Sequence, residues 1–181
     1  QTRTYRRGEQ LFCQGQPTQG LFCTYSGLVK LYRLSLDGNV QILRLTRGQE
    51  VLGHDSLLCQ QAAAQTAEVI QEARICFVDR QVIVQSMRTD PRLNLNLARL
   101  LARDLQRVEE RLFAVACLPT PSRLARLLLE ISDSQGKVES LSRIEMAQLT
   151  GTSPESISRI LRQFQKTGAL RLEKRNSFLL Q

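Results

Sequence analysis

The chain has 181 residues, of which 42% are hydrophobic and 23% charged, which is ordinary for a globular protein. This length allows one large domain or two small ones, each able to bury a core. No apolar run approaches the roughly 20 residues that cross a bilayer, and the first residues do not resemble a secretion signal. The composition therefore argues against a membrane protein.

The net charge of +8 comes from 25 basic and 17 acidic residues. Residues 118–181 carry 10 basic and 6 acidic side chains, whereas residues 1–90 carry 10 and 8. A basic balance favours polyanions such as nucleic acid. The alternative is a basic surface that only contacts solvent.

The cysteines are too widely spaced for a C-x-x-C motif, and their number is odd: Cys13, Cys23, Cys59, Cys76 and Cys117. An odd number without a secretion signal predicts reduced thiols and a cytoplasmic protein. We predict no metal site from these residues.

Residues 6–80 alternate short apolar runs with glycine-bearing turns. The clearest hairpin is "LVKLYRLSLDGNVQILRL", in which two alternating strands flank Asp37 and Gly38. Many short strands predict an antiparallel barrel or sandwich, which we assign to a first domain over residues 1–90. Residues 59–65 read as a short helix or a loop.

The period changes at Pro91, where a long helix is predicted over residues 91–117. A second apolar stripe on this helix consists of Leu93, Leu97 and Leu100. The steps of three and four that predict a dimerisation seam fall on Ala98, Leu101, Leu105, Val108, Leu112 and Val115. We therefore predict a homodimer; the alternative is a helix packed within a monomer.

A hinge is predicted at "LPTPS", residues 118–122, followed by a third region over residues 118–181. Helices are predicted over 122–136, 142–151 and 153–167, and two short strands over 169–181. Two helices joined by a turn on Gly151, with a helix before and a hairpin after, predict a winged helix-turn-helix. The fold class is therefore α+β.

The segment "GTSPESISRILRQFQKTGAL" contains the predicted recognition helix, with Ser153 as its cap and Pro154 at its first position. Glu155, Ser158 and Arg159 share one face. Arginine can donate twice to guanine, glutamate can accept from cytosine, and serine can contact a base edge or a phosphate. The predicted DNA-binding set is Ser153, Glu155, Ser158, Arg159, Arg162, Lys174 and Arg175. The alternative is a surface helix with a Glu155–Arg159 ion pair.

These features together resemble the bacterial cyclic AMP receptor protein / fumarate-nitrate reduction regulator family of transcription regulators. The stretch "RRGEQLFCQGQ…LFCTYSGLVKLYRLSLDGNVQILRLTRGQEVLGHDSLL" is similar to the family's β-roll, and the long helix to its dimerisation helix. The spacing of Glu155, Ser158 and Arg159 is most like the fumarate-nitrate reduction branch. The resemblance implies double-stranded DNA, a second copy and RNA polymerase as partners.

The pocket motif departs from the members that bind cyclic nucleotides. In those members a glutamate takes the ribose hydroxyl and an arginine pairs with the cyclic phosphate; here His54 and Gln65 stand at those positions. The degenerate effector pocket consists of Gly53, His54, Asp55, Gln65 and Thr66. Because glutamine cannot make the bidentate phosphate contact, we predict weak or no cyclic AMP binding. Pro154 likewise replaces an arginine of the cyclic AMP branch.

Three hypotheses about the signal remain open. Cys76 falls near a cluster ligand of the oxygen-sensing branch, but that branch draws its other cysteines from a segment to which nothing in this sequence corresponds. His54 lies near the axial ligand of a haem-bearing relative, although a lone histidine is more often a packing residue. The third hypothesis is that no ligand exists.

An enzyme is the main alternative from another class, and we do not favour it. The sequence has one histidine and no G-x-S-x-G, H-E-x-x-H or phosphate loop. A second alternative is a ligand-binding regulatory subunit without a DNA role, against which the intact recognition helix argues.

Overall fold

The computed structural model describes residues 1–138, 141–174 and 177–181, and of Leu172 and Lys174 it describes the main chain alone. The chain divides into two compact units, Gln1–Val108 and Glu109–Gln181. This boundary falls within the long helix.

The first unit is an antiparallel β-roll with helices, as the family resemblance implies, whereas the alternating sequence pattern alone predicts an antiparallel barrel or sandwich. Its elements are β1 (Thr2–Tyr5), β2 (Gln10–Phe12), β3 (Gly20–Leu34), β4 (Val40–Arg47), β5 (Glu50–Leu52), α1 (His54–Cys59), β6 (Thr66–Asp79), α2 (Arg80–Thr89) and the start of α3 (Pro91–Cys117). The long strands β3 and β6 pair at the centre, with β4 and β5 against β3 and with β1 and β2 against β6. Each long strand therefore has different outer neighbours at its two ends, which lets the sheet roll up around its core.

Gly27 differs from its predicted role as a turn residue. The runs on either side of it form the single strand β3, and the pairing with β6 shifts register between Ser26 and Leu28. Gly27 has φ +93°, and a Cβ there would collide with the main chain of Glu72 and Ala73. It is therefore a β-bulge that bends the strand without ending it.

In the connection from β5 to β6, residues 60–65 form a loop, which is one of the two predicted alternatives for 59–65, and an unpredicted helix precedes it. The helix α1 begins earlier, at His54, after Gly53 with φ 84°. It ends at Cys59 because Gln60 adopts the left-handed conformation with φ 53°. The short helix α2 was not predicted, and Ile83 is its one buried residue.

The second apolar stripe of α3, Leu93, Leu97 and Leu100, packs within the first unit. Leu97 is buried with Leu21, Leu57 and Ile83, and Leu93 and Leu100 pack against this cluster. The seam residues on another face are exposed in the single chain: Ala98, Leu101, Leu105, Val108, Leu112 and Val115. One face of the helix thus stabilises its own unit while another remains open.

The second unit contains the helix-turn-helix and a three-stranded sheet. After the end of α3 it comprises α4 (Thr120–Ile131), β7 (Lys137–Val138), α5 (Arg143–Thr150), α6 (Pro154–Lys166), β8 (Leu170–Lys174) and β9 (Ser177–Leu180). The helix predicted over 122–136 is earlier and shorter, because Ser132 leaves the helical conformation. The sheet order is β7-β9-β8, in which β7 was not predicted. The α+β class and the winged helix-turn-helix are confirmed.

Candidate nucleic-acid interface and effector pocket

The turn between α5 and α6 is tightly defined by local backbone chemistry. Gly151 ends α5 in the left-handed conformation with φ 64°. Ser153 caps α6, because its hydroxyl oxygen accepts from the Ser156 N–H at 3.2 Å, and Pro154 follows as the first helical residue. At its other end α5 begins with a capping box between Ser142 and Glu145. Both helices of the motif are therefore fixed at their termini.

The predicted recognition face is exposed on the side of α6 away from the core. Ile157 is fully buried, whereas Glu155 and Arg159 are exposed and Ser158 is half-buried. Among the residues that the structure describes, Arg159 makes no ion pair, so the alternative Glu155–Arg159 pair is not formed. The five guanidinium donors of Arg159 are available to a ligand.

Two members of this face have local hydrogen bonds that limit their chemistry. The Ser158 hydroxyl donates to the Pro154 carbonyl at 2.9 Å, which leaves its oxygen free to accept from a base or water. The pKa of the Glu155 carboxyl lies below its ordinary value because its own backbone N–H and the Ser153 hydroxyl donate to it. Glu155 therefore stays an acceptor as the solution becomes mildly acidic.

The predicted phosphate contacts are only partly described by the structure. Arg162 is exposed, and its Nε donates to the Ser158 carbonyl at 3.2 Å, which directs the guanidinium along α6. Lys174 ends strand β8, and Arg175 lies outside the described residues. Arg171 on β8 is also exposed, and it is not a member of the predicted DNA-binding set.

An arginine that the sequence analysis did not single out binds the ends of two helices in the second unit. The Arg123 guanidinium donates to the carbonyls of Leu118 and Thr150, each at 2.8 Å, and to the Thr120 hydroxyl at 3.2 Å. These acceptors include carbonyls at helix C-termini, which have no partner within their own helix. Arg123 therefore holds the first helix of the motif against the region where α3 meets α4.

A second arginine reinforces this joint. Arg111 on α3 donates to the Leu149 carbonyl at 3.1 Å. Burial lowers the pKa of the Arg111 guanidinium, and the nearby charge of Glu130 opposes that shift. Sequence alone could not identify either contact, because carbonyl acceptors carry no side-chain signature.

The predicted effector pocket brings its polar residues together around the start of α1. The Gln65 side chain donates to the Asp55 carboxylate at 3.5 Å, and the Ser56 hydroxyl donates to the other oxygen at 3.3 Å. The Thr66 hydroxyl accepts from the Gln14 N–H at 3.0 Å. A carboxylate thus stands beside Gln65, which the family resemblance places at the position of the phosphate-binding arginine.

In the pocket motif, His54 stands where a glutamate takes the ribose hydroxyl. In the structure, its side chain contacts a residue of α3. Its ring is 3% exposed, and its Nε2 lies 3.0 Å from Asp104 Oδ2 on α3. Asp104 Oδ1 also lies 3.2 Å from Arg44, and Glu50 pairs with both Arg44 and Arg107. The lone histidine therefore joins an ionic network between the β-roll and α3.

No metal-binding group is evident in the described part of the chain, where no three His, Cys, Asp or Glu side chains come together. Within the same residues, no helix is both long and apolar enough to traverse a bilayer.

Comparisons with known proteins match both halves of the sequence. Residues 2–90 match the cyclic nucleotide-binding domain, and residues 122–181 match the Crp-like helix-turn-helix domain. The Cyclic AMP receptor protein of Thermus thermophilus is 31% identical over 173 residues, which cover 95% of this chain and 80% of that protein. The CRP-like cAMP-activated global transcriptional regulator of Mycobacterium tuberculosis is 29% identical, with coverage of 93% and 79%. The structure of FixK2 from Bradyrhizobium japonicum superposes with a TM-score of 0.89 at 23% identity, covering 100% of this chain and 92% of that one, and supports the fold.

Proposed function

Since this chain belongs to the cyclic AMP receptor protein / fumarate-nitrate reduction regulator (Crp/Fnr) family, we propose that it is a homodimeric transcription regulator that reads a palindromic DNA site. The Mycobacterium tuberculosis relative is named a transcriptional regulator, and we propose likewise a cytoplasmic protein that is not an enzyme and that contacts RNA polymerase.

The observation that carries this proposal is the exposed polar face of α6. Arg159 is unpaired among the described residues, and it lies within two turns of a capped helix N-terminus. The N-terminal residues of a recognition helix are those that contact base edges in the major groove. This supports Arg159 as a guanine reader and Glu155 as a cytosine reader.

The exposed seam of α3 supports the homodimer. Leu105, Val108 and Leu112 are each more than 60% exposed in the single chain. Large apolar side chains repeated along one helix face are costly in water, and a second copy of the same helix would cover them. Two recognition helices would then address half-sites about one helical turn apart.

We propose a signal other than cyclic AMP, although both relatives above are named for that nucleotide. The Asp55 carboxylate accepts from Gln65, so the position of the lost arginine is now flanked by a negative charge. A cyclic phosphate would meet repulsion there without a cationic partner. The likeness of Glu155, Ser158 and Arg159 to the fumarate-nitrate reduction branch also stays a prediction.

The geometry of His54 favours a packing role over haem ligation. Its Nε2 is engaged with Asp104, and its Nδ1 is buried without a partner among the described residues. A ligand at α1 would have to rearrange this pair before the ring could bind a metal.

DNA selection tests the proposed regulator. The purified chain should enrich a palindrome from a randomised duplex library, and its affinity should fall steeply with salt because Lys and Arg release counterions from phosphates. A salt-sensitive affinity without any enriched motif would indicate non-specific binding, and a salt-independent result would favour the regulatory subunit.

A calorimetric titration tests the signal. We expect no saturable heat at micromolar cyclic AMP for the natural chain. The Gln65→Arg variant should bind more tightly, because it restores the bidentate phosphate partner. Micromolar binding by the natural chain would contradict the proposal.

A further inference from the structure

Two cysteines outside both predicted sites stand directly opposite each other in the β-roll. Cys23 on β3 pairs in register with Cys76 on β6. Directly opposed residues of antiparallel strands have Cα atoms about 4.5 or 5.5 Å apart, depending on their hydrogen bonding. Both separations fall within the roughly 4.4–6.8 Å that a disulfide spans.

The surrounding sheet holds this register on both sides. Thr2 of β1 pairs with Cys76, and Val51 of β5 pairs with Cys23, so four adjacent strands cross at this level. Opposed side chains of paired strands project from the same face of the sheet. The Cys23 and Cys76 side chains therefore leave the sheet on the same face and next to each other.

Burial distinguishes the pair from two of the other cysteines: Cys23 and Cys76 are half-buried, whereas Cys59 and Cys117 are exposed. Cys13 is half-buried as well. Its Sγ donates to Gln10 Oε1 at 3.0 Å, and the Cys76 Sγ donates to the Phe77 carbonyl at 3.8 Å. In the described sheet register, Cys23 and Cys76 are the two cysteines that oppose each other.

We propose that Cys23 and Cys76 are a dithiol pair that a hydroperoxide oxidises to a cross-strand disulfide within one chain. In a reducing compartment the pair rests as two thiols, as in this structure. The site is a modification site, and it is independent of DNA binding.

The reaction balances with one molecule of hydrogen peroxide, the simplest hydroperoxide. The Cys76 thiolate attacks the peroxide oxygen, the O–O bond breaks, and Cys76 becomes a sulfenic acid while the departing hydroxide takes a proton to form water. The Cys23 sulfur then attacks the Cys76 sulfur, the S–OH bond breaks, and a second water leaves. The two sulfurs give up two electrons in total, and the peroxide accepts both.

The roles of the two sulfurs follow from their surroundings. Burial, and secondarily the neighbouring Cys76, raises the pKa of the Cys23 thiol, which leaves little thiolate there at neutral pH. This favours Cys23 as the resolving thiol and leaves the first step to Cys76, an order that the single variants test. The disulfide should form faster as the pH rises, because both steps use a thiolate.

Mass spectrometry of a full-length triple variant tests the proposal. The Cys13→Ser, Cys59→Ser and Cys117→Ser substitutions leave only the pair, and circular dichroism checks that the variant folds. After treatment with hydrogen peroxide and alkylation, we expect a monomer that has lost two hydrogens and takes up no alkylating agent. Dithiothreitol should restore two alkylatable thiols.

Single variants and a contrary outcome complete the test. In a Cys23→Ser chain Cys76 should stop at the sulfenic acid, which dimedone traps, and in a Cys76→Ser chain Cys23 should remain a thiol. Two surviving thiols in the triple variant, under conditions that oxidise exposed Cys59 in the natural chain, would overturn the proposal. A link between two chains would also overturn it. If the triple variant does not fold, a linked Cys23–Cys76 peptide from the oxidised natural chain, or its absence, decides the question.

Discussion

At the scale of single residues, Arg159 and Arg162 lie three positions apart on α6 but have different proposed uses. Arg159→Ala should cost about 1–3 kcal/mol on the preferred site and relax the preference at one base pair in each half-site. The physical reason is the loss of a two-donor contact to guanine, which lysine cannot reproduce in the same geometry.

Arg162→Ala is the matched control in the same binding titrations. A phosphate contact should weaken all sequences about equally and reduce the salt slope by about 1. If Arg159→Ala also weakened every sequence equally, Arg159 would be a phosphate contact and the base-reading assignment would be wrong.

The sequence predicts local residue roles well but not distant partners. Ser153 as a cap and Gly151 as a helix stop depend on neighbours a few positions away, and both predictions are confirmed. The pair of His54 with Asp104 joins positions 50 apart in the sequence, and it forms only after the β-roll and α3 pack together. Asp104 looks in the sequence like an ordinary charge on a helix surface.

At the scale of elements, Arg123 on α4 links the C-terminal end of α5 to the segment between α3 and α4. Arg123→Ala removes the donors to the Leu118 and Thr150 carbonyls. We expect a loss of about 1–3 kcal/mol in the free energy of unfolding of the second unit, because hydrogen bonds from a charged donor contribute roughly that much.

Urea unfolding followed by circular dichroism measures this loss. Arg126→Ala is the matched control, since Arg126 lies on the same helix with an exposed side chain. Equal effects of the two substitutions would contradict the role assigned to Arg123.

The sequence predicts the element boundaries that depend on nearby capping residues or prolines, and it misses the boundaries that depend on packing. Helix α3 begins at Pro91 and ends at Cys117, as its period and the following prolines predict. The strands β3 and β6 are longer than any strand predicted from the sequence. Glycine usually signals a turn, but Gly27 forms a β-bulge, and β3 continues to pair with β6 on both sides of it.

At the scale of the whole molecule, the proposed homodimer depends on the seam of α3. Leu105→Glu should raise the dimer dissociation constant by about two orders of magnitude, because two carboxylates would lose water in the seam. Sedimentation velocity over a concentration series measures the change.

Leu129→Glu on α4 is the control for this variant. Leu129 is 67% exposed and Leu105 is 61% exposed, so both substitutions add a charge at a similarly open leucine. A dimer unchanged by Leu105→Glu would place the interface elsewhere.

The domain boundaries at 90 and 118, read from the change of period at Pro91 and the prolines near residue 118, stay a prediction. The two compact units of the structure divide between Val108 and Glu109, inside α3. A continuous helix belongs to both units because its backbone hydrogen bonds cross any boundary between them.

The contact between His54 and Asp104 has a thermodynamic consequence. Asp104 is followed directly by Leu105. One residue of α3 therefore contacts His54 on α1, and the next is a member of the predicted seam. Any molecule that changes the free energy of the His54–Asp104 contact differently in monomer and dimer changes the dissociation constant of the dimer. Linkage makes this effect reciprocal, so the affinity for that molecule must then depend on the protein concentration itself. Dilution of the protein alone would then change the affinity of the pocket for that molecule.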